Sequence, residues 1–188
     1  MVEIPTARLI LRPFRPDDLA QFVAYRSDPE IARYQSWDST YSAADAESFL
    51  RSQHGLAFAQ PGEWLQLAIV DRETGALYGD CAVRVPADQR ATAELGVTLA
   101  RASQGKGLAT EALAAVVAEL FEKHGMHRLF AETDDRNAPV QRLLERLGFR
   151  CEARLVEAEW FKGEWSTLRL YAQLSREWRD RRGMRKGA

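Results

Sequence analysis

Apolar and polar positions alternate from the start of the chain. Arg8, Ile10 and Arg12 interleave with Leu9 and Leu11, so residues 7–14 predict an edge strand. Pro16-Asp17-Asp18 then opens a helix that carries Leu19, Phe22 and Val23 on one face. A polar, aromatic stretch follows over residues 27–41. Ser42 caps a second helix and Asp45 gives it an acidic first turn; the pattern carries this helix to about Ala59, before Pro61-Gly62 stops it. Residues 64–71, 77–85 and 92–99 read as three strands, with a Glu73-Thr74-Gly75 turn after the first and Pro86 closing the second. Two successive hairpins predict an antiparallel meander.

The period then changes. Over residues 105–124, Leu108, Ala112, Leu113, Val116, Val117, Leu120 and Phe121 form a helical stripe. Gly125 fits the residue past its end, and His124 sits at its negative pole. Residues 128–133 predict a strand, and the strand, helix, strand order predicts a parallel crossover. A short helix over 139–147 closes at Gly148, and two strands near 150–157 and 166–174 complete the pattern. The basic residues 176–188 read as a frayed tail with no role in the fold.

A length of 188 residues fits one domain, placed at 1–175, with the tail beyond it. The net charge of −1 draws the protein to neither nucleic acid nor membrane. Cys81 and Cys151 make no disulfide framework; each is expected to fill a core gap as a free thiol. The opening residues carry Glu3, Pro5 and Arg8, unlike a secretory leader, and no apolar run spans a bilayer. A cytoplasmic setting is the resulting expectation. A homodimer is compatible with this pattern. The three histidines, His54, His124 and His127, have no zinc-ligand spacing, so no metal is expected.

The most informative segment is Gln104-Gly105-Lys106-Gly107-Leu108-Ala109-Thr110, which follows a strand and starts a helix. First-turn amides have no partner inside a helix, and the dipole adds roughly half a positive charge there. Two glycines let the backbone approach a phosphate, which makes an anion site; the plainer reading is a tight turn. The segment lacks the Gly-Lys-Ser/Thr of a Walker A loop. A dinucleotide site is the stronger rival. Its third glycine would be missing, but Glu132 ends the next strand where a ribose-binding acid would sit. Three turn-linked strands before the loop argue against a doubly wound sheet.

Gln104-Gly105-Lys106-Gly107-Leu108-Ala109 resembles the Gln/Arg-x-x-Gly-x-Gly/Ala signature of the GNAT acetyltransferases. Asn137 followed by Arg142-Leu143-Leu144-Glu145-Arg146-Leu147-Gly148-Phe149 resembles their next motif. The opening Thr6-Ala7-Arg8-Leu9-Ile10-Leu11-Arg12-Pro13-Phe14 and the Ala158-Glu159-Trp160-Phe161-Lys162-Gly163 segment are similar to the RimJ/RimL branch. The resemblance covers roughly residues 6–174. It implies an α/β (α+β) fold with a mixed, centrally splayed sheet. The elements read above give that sheet six to seven strands, flanked by about four helices. Acetyl-CoA is the implied co-substrate, lying in the split. By the same resemblance, residues 104–110 hold its pyrophosphate, main-chain groups of Val97, Thr98 and Leu99 pair with the pantetheine arm, and Asn137 fixes the arm from the other side.

The implied reaction is attack of a neutral amine on the acetyl thioester. The ammonium must lose a proton, and a backbone amide near Val97, Thr98 and Leu99 would meet the oxyanion. Glu94 and Glu159 are the candidate bases, at positions where family members carry carboxylates. RimJ/RimL-like enzymes often carry a serine three residues after Asn137; here Val140 stands there and has no proton to give. Tyr171 is a weaker substitute donor than a packed strand aromatic. Trp37 and Trp160, with Trp165 near, are read as the acceptor wall for a peptide N-terminus, a polyamine or an aminoglycoside-like amine. Two other functions compete: a non-catalytic acyl-CoA-binding regulator on the same fold, and a dinucleotide-dependent oxidoreductase.

Overall fold

The computed structural model describes residues 2–186. Strands β1 (Ile4–Pro5) and β2 (Leu9–Pro13) lead into helices α1 (Leu19–Arg26), α2 (Pro29–Ala32) and α3 (Ala43–Ser52). Strands β3 (Leu65–Asp71), β4 (Leu77–Arg84) and β5 (Thr92–Leu99) come next, then helix α4 (Leu108–Glu122), strand β6 (Arg128–Asp134) and helix α5 (Ala138–Leu147). The hairpin strands β7 (Arg150–Phe161) and β8 (Glu164–Leu174) precede a last helix, α6 (Ser175–Lys186). Among the described residues the strands form one eight-stranded sheet in the order β1-β2-β3-β4-β5-β6-β8-β7.

Strand alternation separates two apolar layers. Leu67 and Ile69 of β3 point to one face and join Leu113, Val116 and Leu120 of α4 with Leu129 of β6. Ala68 and Val70 of the same strand point to the other face, against Phe22 and Tyr25 of α1. Burying side chains of this size contributes roughly 1.5–3 kcal/mol each. Buried Asp18 fixes the start of α1 on β2. Its carboxylate accepts from the Arg12 Nη1 and Nη2 at 2.7 and 2.9 Å and from the Arg15 amide at 2.7 Å.

Among the described strands, pairing is antiparallel except at the centre, where β5 and β6 run parallel across the α4 crossover. Only Thr92↔Arg128, Ala93↔Leu129 and Glu94↔Phe130 are paired there. Beyond them β5 continues to Leu99 against β4, and β6 to Asp134 against β8. The sheet therefore opens into a V at Glu94 and Phe130. The parallel crossover is as the element order predicts, and the central split is as the family resemblance implies.

Several expectations are corrected. Among the described residues the sheet has eight strands, the added one being β1, and there are six helices where about four were expected. Helix α3 ends at Ser52, not near Ala59. The Gln53 side chain turns back instead, donating to the Trp64 carbonyl at 3.1 Å and accepting the Gln66 amide at 2.7 Å. The supposed tail is helical over Ser175–Lys186, because Trp178 gives it an apolar face that packs on Phe121 with ring centroids 5.5 Å apart. Gly187 and Ala188 lie outside the described residues. Cys81 is buried as expected, whereas Cys151 is exposed on the outer strand β7.

Candidate active site

Gly105 and Gly107 have φ of 74° and 76°, the left-handed region where a side chain is strained. Gly107 is the N-cap of α4 and offers no side chain to the first-turn amides. The amides of Leu108, Ala109 and Thr110 are thus left open at the positive end of a 15-residue helix. The loop is held from two sides. The Gln104 side chain donates to the Leu99 carbonyl at 3.1 Å, and the Arg8 Nη1 donates to the Lys106 carbonyl at 3.1 Å. Arg8 is itself fixed by Glu111 of α4, whose carboxylate accepts its Nε at 2.7 Å.

This loop borders a cleft of about 700 Å³ that also meets Val97, Thr98 and Leu99 at the free end of β5 and Asn137 and Val140 across the split. Arg33 and Arg146 add positive charge to its wall, and the Arg146 Nη1 lies 3.4 Å from the Thr110 hydroxyl. An anionic, amide-bearing ligand fits these groups: open amides and guanidinium for phosphate, and unpaired strand edges for amides.

A second cleft, about 490 Å³, lies on the other side of the V and shares Tyr34, Gln35, Val97 and Thr98 with the first. Five carboxylates line it: Asp80 on β4, Glu94 on β5, Glu132 and Asp134 on β6, and Glu159 on β7. Glu94 is 9% exposed and ion-paired with Arg84, its cross-strand neighbour on β4. Glu132 is exposed to the cleft; partial burial, then the charges of Glu94 and Glu159, raise its pKa against the opposing pull of Arg84. Asp134, by contrast, is held down to about 2, chiefly by hydrogen bonds from Arg136, against its partial burial and with help from Ser166.

The cleft floor is closely packed and hydrogen-bonded. The Arg26 guanidinium stacks 3.7 Å from the Trp37 ring and 4.2 Å from the Phe22 ring, and donates to the Gln66 amide oxygen at 2.7 Å. Buried Asp80 accepts from the Tyr25 hydroxyl at 2.5 Å, and burial pushes its pKa up. The β7–β8 tip is tied over the cleft by Lys162, whose Nζ donates to the carbonyls of Ala32 at 2.9 Å and Trp37 at 2.6 Å.

The structure brings most of the expected residues together. Gln104, Gly105, Gly107, Leu108, Ala109, Thr110, Val97, Thr98, Leu99 and Asn137 border the first cleft; Glu94, Glu159 and Trp37 border the second. Lys106 borders neither. Trp160 is also misplaced by the sequence reading. Its neighbours Glu159 and Phe161 line the second cleft, so strand alternation turns it outward, 62% exposed, against Trp165. Tyr171 is fully buried beside α5 and bonds Glu145, as a packed aromatic does. Sequence reasoning took Glu132 only as a ribose-binding acid and passed over Arg26, Arg84 and Lys162. The even spacing of Phe130 and Glu132 would have shared a face with Glu94 only once the parallel register was known.

The sheet order rules out a doubly wound dinucleotide fold, since β3, β4 and β5 form a meander. A family model described as an acetyltransferase (GNAT) domain matches residues 8–150. The uncharacterized N-acetyltransferase p20 of Bacillus licheniformis is 28% identical over 178 residues, which cover 95% of this chain and 99% of that protein. A GNAT-family acetyltransferase from Bacillus anthracis superposes with a TM-score of 0.84 at 23% identity, covering 93% of this chain and 99% of that one. RimJ from Mycobacterium smegmatis, solved with a CoA disulfide, superposes with a TM-score of 0.81 at 23% identity, covering 94% and 88%.

Proposed function

The chain belongs to the GNAT family and is an N-acetyltransferase, and from that premise we propose that it transfers acetyl from acetyl-CoA directly to a primary amine on a protein N-terminus or a small molecule. The observation that carries this reading is the pair of clefts that meet at Val97 and Thr98 on the open edge of β5. One is cationic and rich in free amides; the other is lined with carboxylates.

In this account the co-substrate supplies an acetyl thioester, the electrophile. The open amides of Leu108, Ala109 and Thr110 take the phosphates, and Lys106 helps only through its place in the loop. The unpaired edge at Val97, Thr98 and Leu99 takes the arm's amides, and Asn137 faces it across the split. An amide on that edge is the donor for the developing oxyanion. Glu94 and Glu159 give the acceptor cleft its negative field, which draws in an ammonium. Val140 gives no proton, and none is required, since a thiol with a pKa near 8.5 leaves well as thiolate.

The acceptor class is tested by offering acetyl-CoA with a tetrapeptide bearing a free N-terminus, with spermine and with kanamycin, and weighing the products. Acetylation of one class above the others is the expected result. Acetyl-CoA binding with no acetylated product from any amine would favour a regulator on the same fold.

A further inference from the structure

The opening Thr6-Ala7-Arg8 borders neither cleft, yet its contacts converge on the start of α4. These residues form the turn between β1 and β2, closed by the Thr6 amide, which donates to the Leu9 carbonyl at 2.8 Å. The turn presents three donors to one carboxylate. Glu111 Oε1 accepts from the Thr6 hydroxyl at 2.6 Å and from the Arg8 amide at 2.8 Å, and Oε2 accepts from the Arg8 Nε at 2.7 Å. Partial burial opposes the charge on Glu111, but the Thr6 and Arg8 bonds outweigh it and lower the pKa, so Glu111 is an anion at neutral pH. The same guanidinium reaches on to the glycine loop, where its Nη1 donates to the Lys106 carbonyl at 3.1 Å.

Stability gives little reason for this arrangement. About half of the Arg8 side chain is exposed, and an ion pair in that setting adds little to the fold. The contacts instead tie a sheet strand to a loop whose two glycines leave its backbone free to move. Charge gives a second reason. Glu111 stands in the first turn of α4, and an acid there cancels part of the positive end that an anion would meet. Arg8 offsets that charge and leaves the amides of Leu108, Ala109 and Thr110 open.

Resting on the acetyltransferase reading, we propose that Arg8 is a positioning residue for the acetyl-CoA phosphates. Through Glu111 and the Lys106 carbonyl it holds the 104–110 loop in its binding form, and it neutralises the acid in the first turn of α4. It acts through the loop and lies outside both clefts.

The test titrates CoA by calorimetry into wild type, Arg8→Met, Arg8→Lys, the double variant Arg8→Met/Glu111→Gln and Arg72→Ala, with a thermal melt of each protein alone. Arg72 is the control. Its Nη1 donates to the Thr6 carbonyl at 3.0 Å, so its loss loosens the same turn without removing an Arg8 contact. Arg8→Met should weaken CoA binding about tenfold, the scale of one lost charge-assisted hydrogen bond. Its melting temperature should fall by no more than about 3 °C. Arg8→Lys keeps the charge but not the fork and should bind with intermediate affinity; it carries the comparison alone if Arg8→Met does not fold. The double variant should bind CoA more tightly than Arg8→Met, because the uncompensated acid is gone. Arg72→Ala should bind as wild type does. In turnover, Arg8→Met should raise the KM for acetyl-CoA by a larger factor than it lowers kcat. An Arg8→Met affinity within twofold of wild type overturns the assignment. So does an equal loss in Arg72→Ala, or a double variant that binds more weakly than Arg8→Met; each of these leaves the acetyltransferase reading standing. A wild type that binds no CoA overturns that reading, and this assignment with it.

Discussion

Glu94 on β5 and Phe130 on β6 are the last pair at which the two central strands meet. Past it, β5 has ladder partners only on β4, and β6 only on β8. Backbone groups left open inside a protein must find partners, and here a ligand's amides are available to them. Helix α4 begins just beyond the free end of β5, with its uncapped amides turned to the same opening. The split and the open amides at the start of α4 are thus consequences of one crossover.

Gly107 tests the cradle. At φ 76° a valine is strained whatever room it has, and the nearest atom to an added Cβ is the Arg8 Nη2 at 3.7 Å. Gly107→Val should therefore lower fold stability by roughly 1–2 kcal/mol. It should also weaken CoA binding at least tenfold, or about 1.4 kcal/mol, as read by calorimetric titration. Unchanged affinity in the folded variant would move the phosphates to another part of the cleft.

Asp134 tests the electrostatics of the cleft floor. Its native pKa of about 2 lies below the ordinary carboxylate value near 4, so the folded protein favours its anion. That stabilisation is complete above about pH 4 and is lost as the pH falls toward 2. The urea midpoint should drop across that window, and Asp134→Asn should flatten the drop while lowering stability at pH 7. An equal slope in the variant would assign the acid sensitivity to other carboxylates, such as Asp28 and Asp71, which are also held near 2.

The sequence revealed the elements with local signatures and missed those that depend on distant partners. Ser42 and Asp45 form a reciprocal cap at the start of α3, and Gly148 closes α5 in the left-handed region, as their residue types indicate. The end of α3 was not legible, since Gln53 leaves the helix to bond β3 thirteen residues away in sequence. The glycine loop was readable because helix N-termini and anions share a general physics. The raised pKa of Glu132 was not, because its neighbours Glu94 and Glu159 come from two other strands. Trp160 was misread for a simpler reason: the Ala-Glu-Trp match says nothing of which face each residue takes, and one residue of register reverses it.

Helix α6 is predicted to be part of the fold. Trp178 packs against Phe121 of α4, and the Arg182 guanidinium covers it 4.7 Å from the ring centre. Trp178→Ala should lower stability by about 2 kcal/mol, the scale of a partly buried aromatic. Chemical denaturation measures it. An unchanged midpoint would return this segment to the role of a dispensable tail.

The central claim is that an amine accepts acetyl across the V between β5 and β6, and free-thiol release tests it most directly. Wild-type protein is mixed with acetyl-CoA and thiol is followed in the presence and absence of the peptide, spermine or kanamycin. The account predicts thiol release that depends on the amine, saturates with it, and matches the acetylated amine formed mole for mole. Acetyl-CoA that binds and stabilises the protein yet releases no thiol above the amine-free rate with any of the three would contradict it.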